Sequence, residues 1–465
     1  MIDQLIIFSY LLGILILGLW SGRGVTSLET FSVAGRSYSY LVIFATLSAS
    51  FIGGGFSLGN AEKVFLWGIA NIVALWGFSL KEILVASFIA PRMHFFSDVI
   101  SPGDIMMRTY GLPGKLITGF FSVLLCAGIL GAQVGGMGYI FNVFLGIPQI
   151  WGIVIGCGIV IAYSTVGGMR AVVFTDIAQF IILSIAIPLT LVFGLQQVGG
   201  ISVLREALPA SYFQVPGSHF TPVAFMSLFL TFLLGETLVP PYLQRLYIGK
   251  NSRNTAAGTL LSGLFSIPFF AVTGSIGLIA FALKPDLDAN LALPFVINEV
   301  LPIGLKGLVT AGIISIVMSS ADSFLNSAAV AFTNDLVNPL RRRPLTEKQG
   351  LRLAKIVNLM VGILAVVFAV RIKSVLDILI YAYNFWSPII LIPLISALMG
   401  YRATMGSFLG GAGAGIVAVV VWNVVLESPG GMDGLIVGVA CNLAVFSLIV
   451  ACSRPAPLSV DTARK

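Results

Sequence analysis

Ser319, Ser320, Asp322 and Ser323 stand together in the segment VMSSADS, Val317–Ser323, of a stretch that is otherwise apolar and membrane-length. They are oxygen-bearing groups, and their clustering points to a bound cation. A hydroxyl in a membrane helix can bond back to the carbonyl one turn earlier at little cost. A carboxylate at that depth costs about 2.5–3.5 kcal/mol on insertion scales and by default marks a functional site.

The elements that must position these groups follow from composition. With 57% of residues hydrophobic and only 10% charged, 465 residues carry more apolar surface than a water-soluble fold can hide, which makes this an all-α polytopic membrane protein. Apolar runs able to cross ~30 Å of hydrocarbon fall near residues 4–20, 39–58, 64–90, 115–145, 150–166, 171–196, 222–247, 256–283, 303–334, 352–370, 374–397, 403–424 and 433–452, thirteen in all. Thirteen spans put the termini on opposite sides. Lys and Arg placement then sets the N-terminus outside and the C-terminus inside: Arg23, Arg36, Arg92, Arg108, Arg245, Lys250, Arg253 and Arg341–Arg343 fall in inner segments. The outer loops carry only Lys63, Arg205, Lys284, Lys306, Arg371 and Lys373, with Lys81 inside a span. The net charge of +7 therefore reflects topology, and no nucleic-acid partner is expected. The first span follows Asp3 and lacks a basic leader and a small-x-small cleavage site, so it is expected to be retained. Cys126, Cys157, Cys441 and Cys452 fall within or at the ends of spans and suit buried thiols better than a disulfide or metal framework.

Two spans are interrupted at matching points, by SASFIGGGFSLG (Ser48–Gly59) and by GETLVPP (Gly235–Pro241), five helices apart. Glycine runs and a Pro-Pro pair break helices, and such breaks persist in lipid only where protein or a watery cavity satisfies the freed backbone. Matched breaks are what a five-plus-five inverted repeat gives, and they point to a transport site near the midplane.

At these residues the chain resembles the sodium:solute symporter family, over nearly its whole length. The motifs are FIGGGFSLGNAEKVF (Phe51–Phe65), YSTVGGMRAVVFTDIAQ (Tyr163–Gln179), YLQR (Tyr242–Arg245) and VMSSADSFLNS (Val317–Ser327), the first and last being most similar to the choline-transporter branch. The resemblance implies a leucine-transporter-like inverted-repeat fold. It divides the single membrane domain into an N-terminal helix and loop (residues 4–38), two repeats (39–196 and 222–397) and two extra helices (403–452). It also implies sodium-driven symport of a small polar organic solute by alternating access, in the cell membrane, with no obligatory protein partner.

Carried over by position, the main sodium site would use Ser319 and Ser320 with the carbonyl of Ile316, facing carbonyls near Phe44 and Leu47. Residues three and four apart share a helix face, so the first three can converge. A second sodium site would involve Asp176, Asp322 and Ser323; the same residues equally suit a structural acid and an inner gate in which Asp176 pairs with a nearby Arg. Solute would lie beside the two breaks, near Thr46, Ser48, Ser50, Phe51, Glu236 and Val239, facing Gln133, Asn384 and Trp386. Phe51 and Val239 replace the Trp residues of the choline branch, which erodes the aromatic cage that holds a quaternary ammonium. Glu236 adds an acid that suits a hydrogen-bonding or amine-bearing solute, or a protonatable gate, and Glu62 and Lys63 read as a solvated outer pair. Rival readings are a solute sensor on the same scaffold, a proton-coupled symporter, a channel and an intramembrane enzyme. The last is disfavoured because His94 and His219 lie in loops and no HExxH or GxSxG pattern occurs at membrane depth.

Overall fold

A computed structural model describes residues 1–371 and 383–453. Lipid-facing backbone has no water to bond, so the chain satisfies its amides within helices, and the described residues are helical apart from loops and one isolated bridge, Tyr38 to Gly249. The helices used below are α1 (Ile2–Ser21), α2 (Tyr40–Phe51), α3 (Gly54–Trp67), α4 (Ala70–Leu84), α5 (Pro102–Leu145), α6 (Gln149–Val198), α7 (Pro222–Leu234), α8 (Pro240–Tyr247), α9 (Ser252–Leu283), α10 (Leu305–Ala331), α11 (Glu347–Arg371), α12 (Ile392–Met399), α13 (Met405–Val420) and α14 (Gly434–Cys452).

Among the described residues nine helices are long and apolar enough to cross a membrane, or ten when α2 and α3, bent by 55° at their break, count as one span. The lower number than the expected thirteen has identifiable sources. The spans expected at 150–166 and 171–196 run on as α6, which departs from helical geometry at Gly168 (φ 50). Left-handed backbone there requires glycine, and an added Cβ would also lie 2.5 Å from the carbonyl oxygen of Phe31. The span expected at 222–247 is two short helices, α7 and α8. Part of the span expected at 374–397 lies outside the described residues.

At the centre stands α10, packed on α5, α6 and α2, with every residue from Val309 to Ala331 buried. Close approach between membrane helices relies on small residues. Gly312 of α10 is one: a Cβ there would lie 2.7 Å from that of Ala186 on α6. Peripheral helices α13 and α14 pack on each other and expose Leu409, Val417, Leu443 and Leu448, the pattern of a lipid-facing surface. The polar segment Val317–Ser323 is thus held in the most buried helix, beside the break between α2 and α3.

Candidate functional site

The first break begins where helical bonding stops. Ile52 N–H donates to Ser48 O at 3.1 Å, after which Gly53 N–H turns back to Phe51 O (2.7 Å) and Gly54 N–H goes to Gln133 Oε1 (3.3 Å). The carbonyls of Ala49 and Ser50 therefore lose the donors four residues on. Two hydroxyls of α10 take them: Ser319 Oγ donates to Ala49 O and Ser320 Oγ to Ser50 O, each at 2.8 Å. Both also approach Ile316 O, at 3.2 and 3.3 Å. Ile316, Ser319 and Ser320 converge as expected. Facing them are the released carbonyls of Ala49 and Ser50; Phe44 and Leu47 lie within the regular part of α2, and Phe44 packs its ring on Phe180 and Phe265. The five converging oxygens are buried and uncharged, and a serine hydroxyl can turn its proton aside to offer a lone pair. Such a donor set fits a small hard cation.

One turn further along α10 lies an ionic network. Arg245 Nη2 donates to Asp176 Oδ2 (3.0 Å) and to Ser323 Oγ (2.5 Å), with arginine and aspartate both fully buried. Thr46 Oγ1 donates to the same carboxylate, Ser50 Oγ lies 3.3 Å from it, and Ser50 and Ser323 hydroxyls are 3.1 Å apart. Asp322 accepts from Tyr163 OH at 2.6 Å and from Ser323 Oγ at 3.1 Å. Ser323 Oγ is also 2.6 Å from Ser319 O, which links this network to the oxygens at the break. Asp176, Asp322 and Ser323 do come together. Asp176 is paired with Arg245, a residue that sequence counting had assigned to an inner loop. Asp176 Oδ1 has no hydrogen-bond partner among the described residues.

Thr46 and Ser50, nominated for solute, face this network instead. Ser48 Oγ is buried and unpartnered among the described residues, while Phe51 packs on Phe78 at 4.8 Å between ring centroids. At the second break, between α7 and α8, side chains of other segments cap the freed backbone. Ser387 Oγ donates to the carbonyls of Leu234 (2.6 Å) and Gly235 (2.9 Å), and Trp386 Nε1 to that of Thr237 (3.1 Å). Leu238 there adopts a left-handed φ of 55°, a conformation that costs a non-glycine residue about 1–2 kcal/mol. Val239 is fully buried and is the N-cap residue of α8. Glu236 accepts from Tyr242 OH at 2.5 Å and from Tyr383 OH, and Gln133, Glu236 and Asn384 are buried with slight residual exposure.

Sequence reasoning missed Lys81, Glu82, Tyr242 and Tyr383 as site residues. Lys81 and Glu82 form a buried pair on α4, 2.9 Å apart. An adjacent acid and base inside an apolar span was the available signal; Lys81 had been weighed only for topology. Glu62 and Lys63 pair at 2.8 Å and keep partial exposure, as expected of a solvated pair.

The family model for the sodium:solute symporter family matches residues 31–415. Sodium/glucose cotransporter 1 of Oryctolagus cuniculus is 26% identical over 94% of this chain and 70% of its own length. Sodium/glucose cotransporter 2 of Rattus norvegicus is 27% identical over 95% and 71%. Among solved structures, the substrate-bound outward-open state of a Na+-coupled sialic acid symporter superposes with a TM-score of 0.85 at 20% identity, covering 98% of both chains. A nucleobase-cation-symport-1 family transporter, in a closed conformation with bromovinylhydantoin bound, gives 0.61 at 15% identity over 94% of this chain and 97% of its own.

Proposed function

The chain belongs to the sodium:solute symporter family, and from that premise we propose that it couples sodium entry to uptake of a small polar organic solute by alternating access. It is a sodium-coupled membrane symporter and not an enzyme. In the finer reading, thirteen spans with the N-terminus outside comprise repeats at residues 39–196 and 222–397. Sodium is held by Ser319, Ser320 and Ile316 of α10 with Ala49 and Ser50 of α2. A second sodium site at Asp176, Asp322 and Ser323 is supported by the unpartnered Asp176 Oδ1.

The observation that carries the reading is the handover at the first break: carbonyls that the helix has released are held by two rotatable hydroxyls. A cation bound there joins α2 to α10, so the shape of the break depends on ion occupancy. That shape governs whether Phe51, Gln133 and the second break enclose a solute. One charge moved through 100 mV is worth ~2.3 kcal/mol, enough to sustain a gradient of tens-fold per sodium. Coupling is reciprocal: if sodium raises affinity for the solute, the solute raises affinity for sodium by the same factor.

Thermal stability of the purified protein in sodium against potassium tests this, since a ligand bound only by the folded state raises stability with its concentration. A sodium-specific rise is expected in the native protein, absent from Ser319→Ala and Ser320→Ala. No rise, or one that both variants keep, would reject sodium binding at this site.

A further inference from the structure

Lys81, on α4, places its ammonium group beside the second break and against aromatic rings. Its Nζ lies 3.3 Å from the ring centroid of Phe78 and 4.8 Å from that of Tyr242, 2.9 Å from Glu82 Oε1 and 3.5 Å from the carbonyl oxygen of Glu236. Phe78 in turn packs on Phe51 and Phe56, at 4.8 and 4.9 Å. The aromatic surroundings in which a solute's cation would sit thus already hold a tethered one.

Glu82 and Lys81 neutralise each other. Glu236 shares the field of Lys81 but makes no direct ion pair with it among the described residues: both its oxygens are met by phenol hydroxyls, from Tyr242 and Tyr383. Two phenol hydroxyls can both donate to Glu236 when it is ionised. With Glu236 ionised, one ammonium faces two carboxylates, a surplus negative charge that a cationic solute would compensate. All of the cluster is buried, with small differences in exposure. Lys81 and Glu82 are only 2% and 3% exposed, whereas Glu236 keeps 5% and Thr237, Gln133 and Asn384 keep 8%, 8% and 9%.

We infer that the transported solute carries a protonated primary or secondary amine, whose N–H groups Glu236 receives while the Lys81–Glu82 pair stays closed. This rests on the symport reading above and adds to it the solute's chemical class. Each other class meets a specific obstacle. A carboxylate solute would bring a third negative charge to two acids and one base. A neutral sugar would leave the surplus charge uncompensated. A quaternary ammonium has no N–H to give Glu236, and its aromatic seat is taken by Lys81.

The test is melting of the purified full-length protein in sodium and in potassium, with single additions at millimolar concentration. The amines are ethanolamine, putrescine, L-serine and L-lysine; the others are choline and glycine betaine, lactate, glucose and myo-inositol. The expected result is stabilisation in sodium by at least one amine, with more than about tenfold weaker apparent affinity in Glu236→Gln, and none by the other compounds. Stabilisation by choline, betaine, lactate, glucose or inositol would overturn the inference, as would an amine response unchanged in Glu236→Gln. Silence of all four amines while sodium alone still stabilises would also overturn it and leave the sodium site standing. Loss of the sodium response itself in the native protein would instead reject the symport reading. The native panel needs no variant, so the inference stays testable if Glu236→Gln fails to fold.

Discussion

The two helix breaks solve the same problem in opposite ways. At the first, glycines release the carbonyls of Ala49 and Ser50, and serine hydroxyls that can turn away hold them. At the second, the freed carbonyls of Leu234, Gly235 and Thr237 are capped by Ser387 and the indole of Trp386, a donor that cannot become an acceptor. In the proposed reading the first break exchanges its partners for an ion, while the second, where an indole N–H joins a hydroxyl as cap, presents Glu236. That reading separates ion and solute in chemistry as well as position.

The largest expected effect comes from the ionic network beside the first break. Arg245→Ala leaves Asp176 a buried charge without its partner and should cost about 3–5 kcal/mol of stability, measurable by melting in detergent. Combining Asp176→Asn with Arg245→Met should recover much of that loss; equal instability of the single and paired variants would mean the pair is not what holds this region. Next, Tyr163→Phe removes the donor 2.6 Å from Asp322 and should cost about 1.5–3 kcal/mol, by the same measurement.

Smaller effects separate the breaks themselves. A Cβ at Gly53 would lie 2.8 Å from Ser320 Oγ and 3.0 Å from Gln133 Nε2. Gly53→Ala should therefore push the serine aside and weaken sodium binding by about tenfold, about 1.4 kcal/mol, seen as a shifted sodium titration of the melting temperature. Trp386→Phe, which uncaps Thr237 O, should cost about 1 kcal/mol and leave the sodium midpoint unchanged. A sodium response altered by Trp386→Phe and untouched by Gly53→Ala would reverse the division of labour.

Much of this was legible in the sequence because membrane physics narrows the possibilities. An Asp among serines in an apolar stretch, and two matched breaks, led to α10 and to both halves of the site. Details that depend on where helical bonding ends were not legible. That the carbonyls of Ala49 and Ser50 are released follows from the diverted donors of Gly53 and Gly54, which bond Phe51 O and Gln133 Oε1. Arg245 counts by sequence with the inner basic residues, yet α8 turns it inward to Asp176. Lys81 was passed over because a lysine was weighed by count for topology and not by what could neutralise it at depth. The motif likeness to the choline branch likewise could not show that a lysine fills the aromatic space.

The central claim is that the ion is held at the first break and the solute at the second. Sodium titration of the melting temperature, compared among the native protein, Ser320→Ala and Glu236→Gln, tests it most directly. The account expects Ser320→Ala to lose the sodium-specific rise and Glu236→Gln to keep it with the native midpoint. A rise that survives in Ser320→Ala and disappears in Glu236→Gln would contradict it.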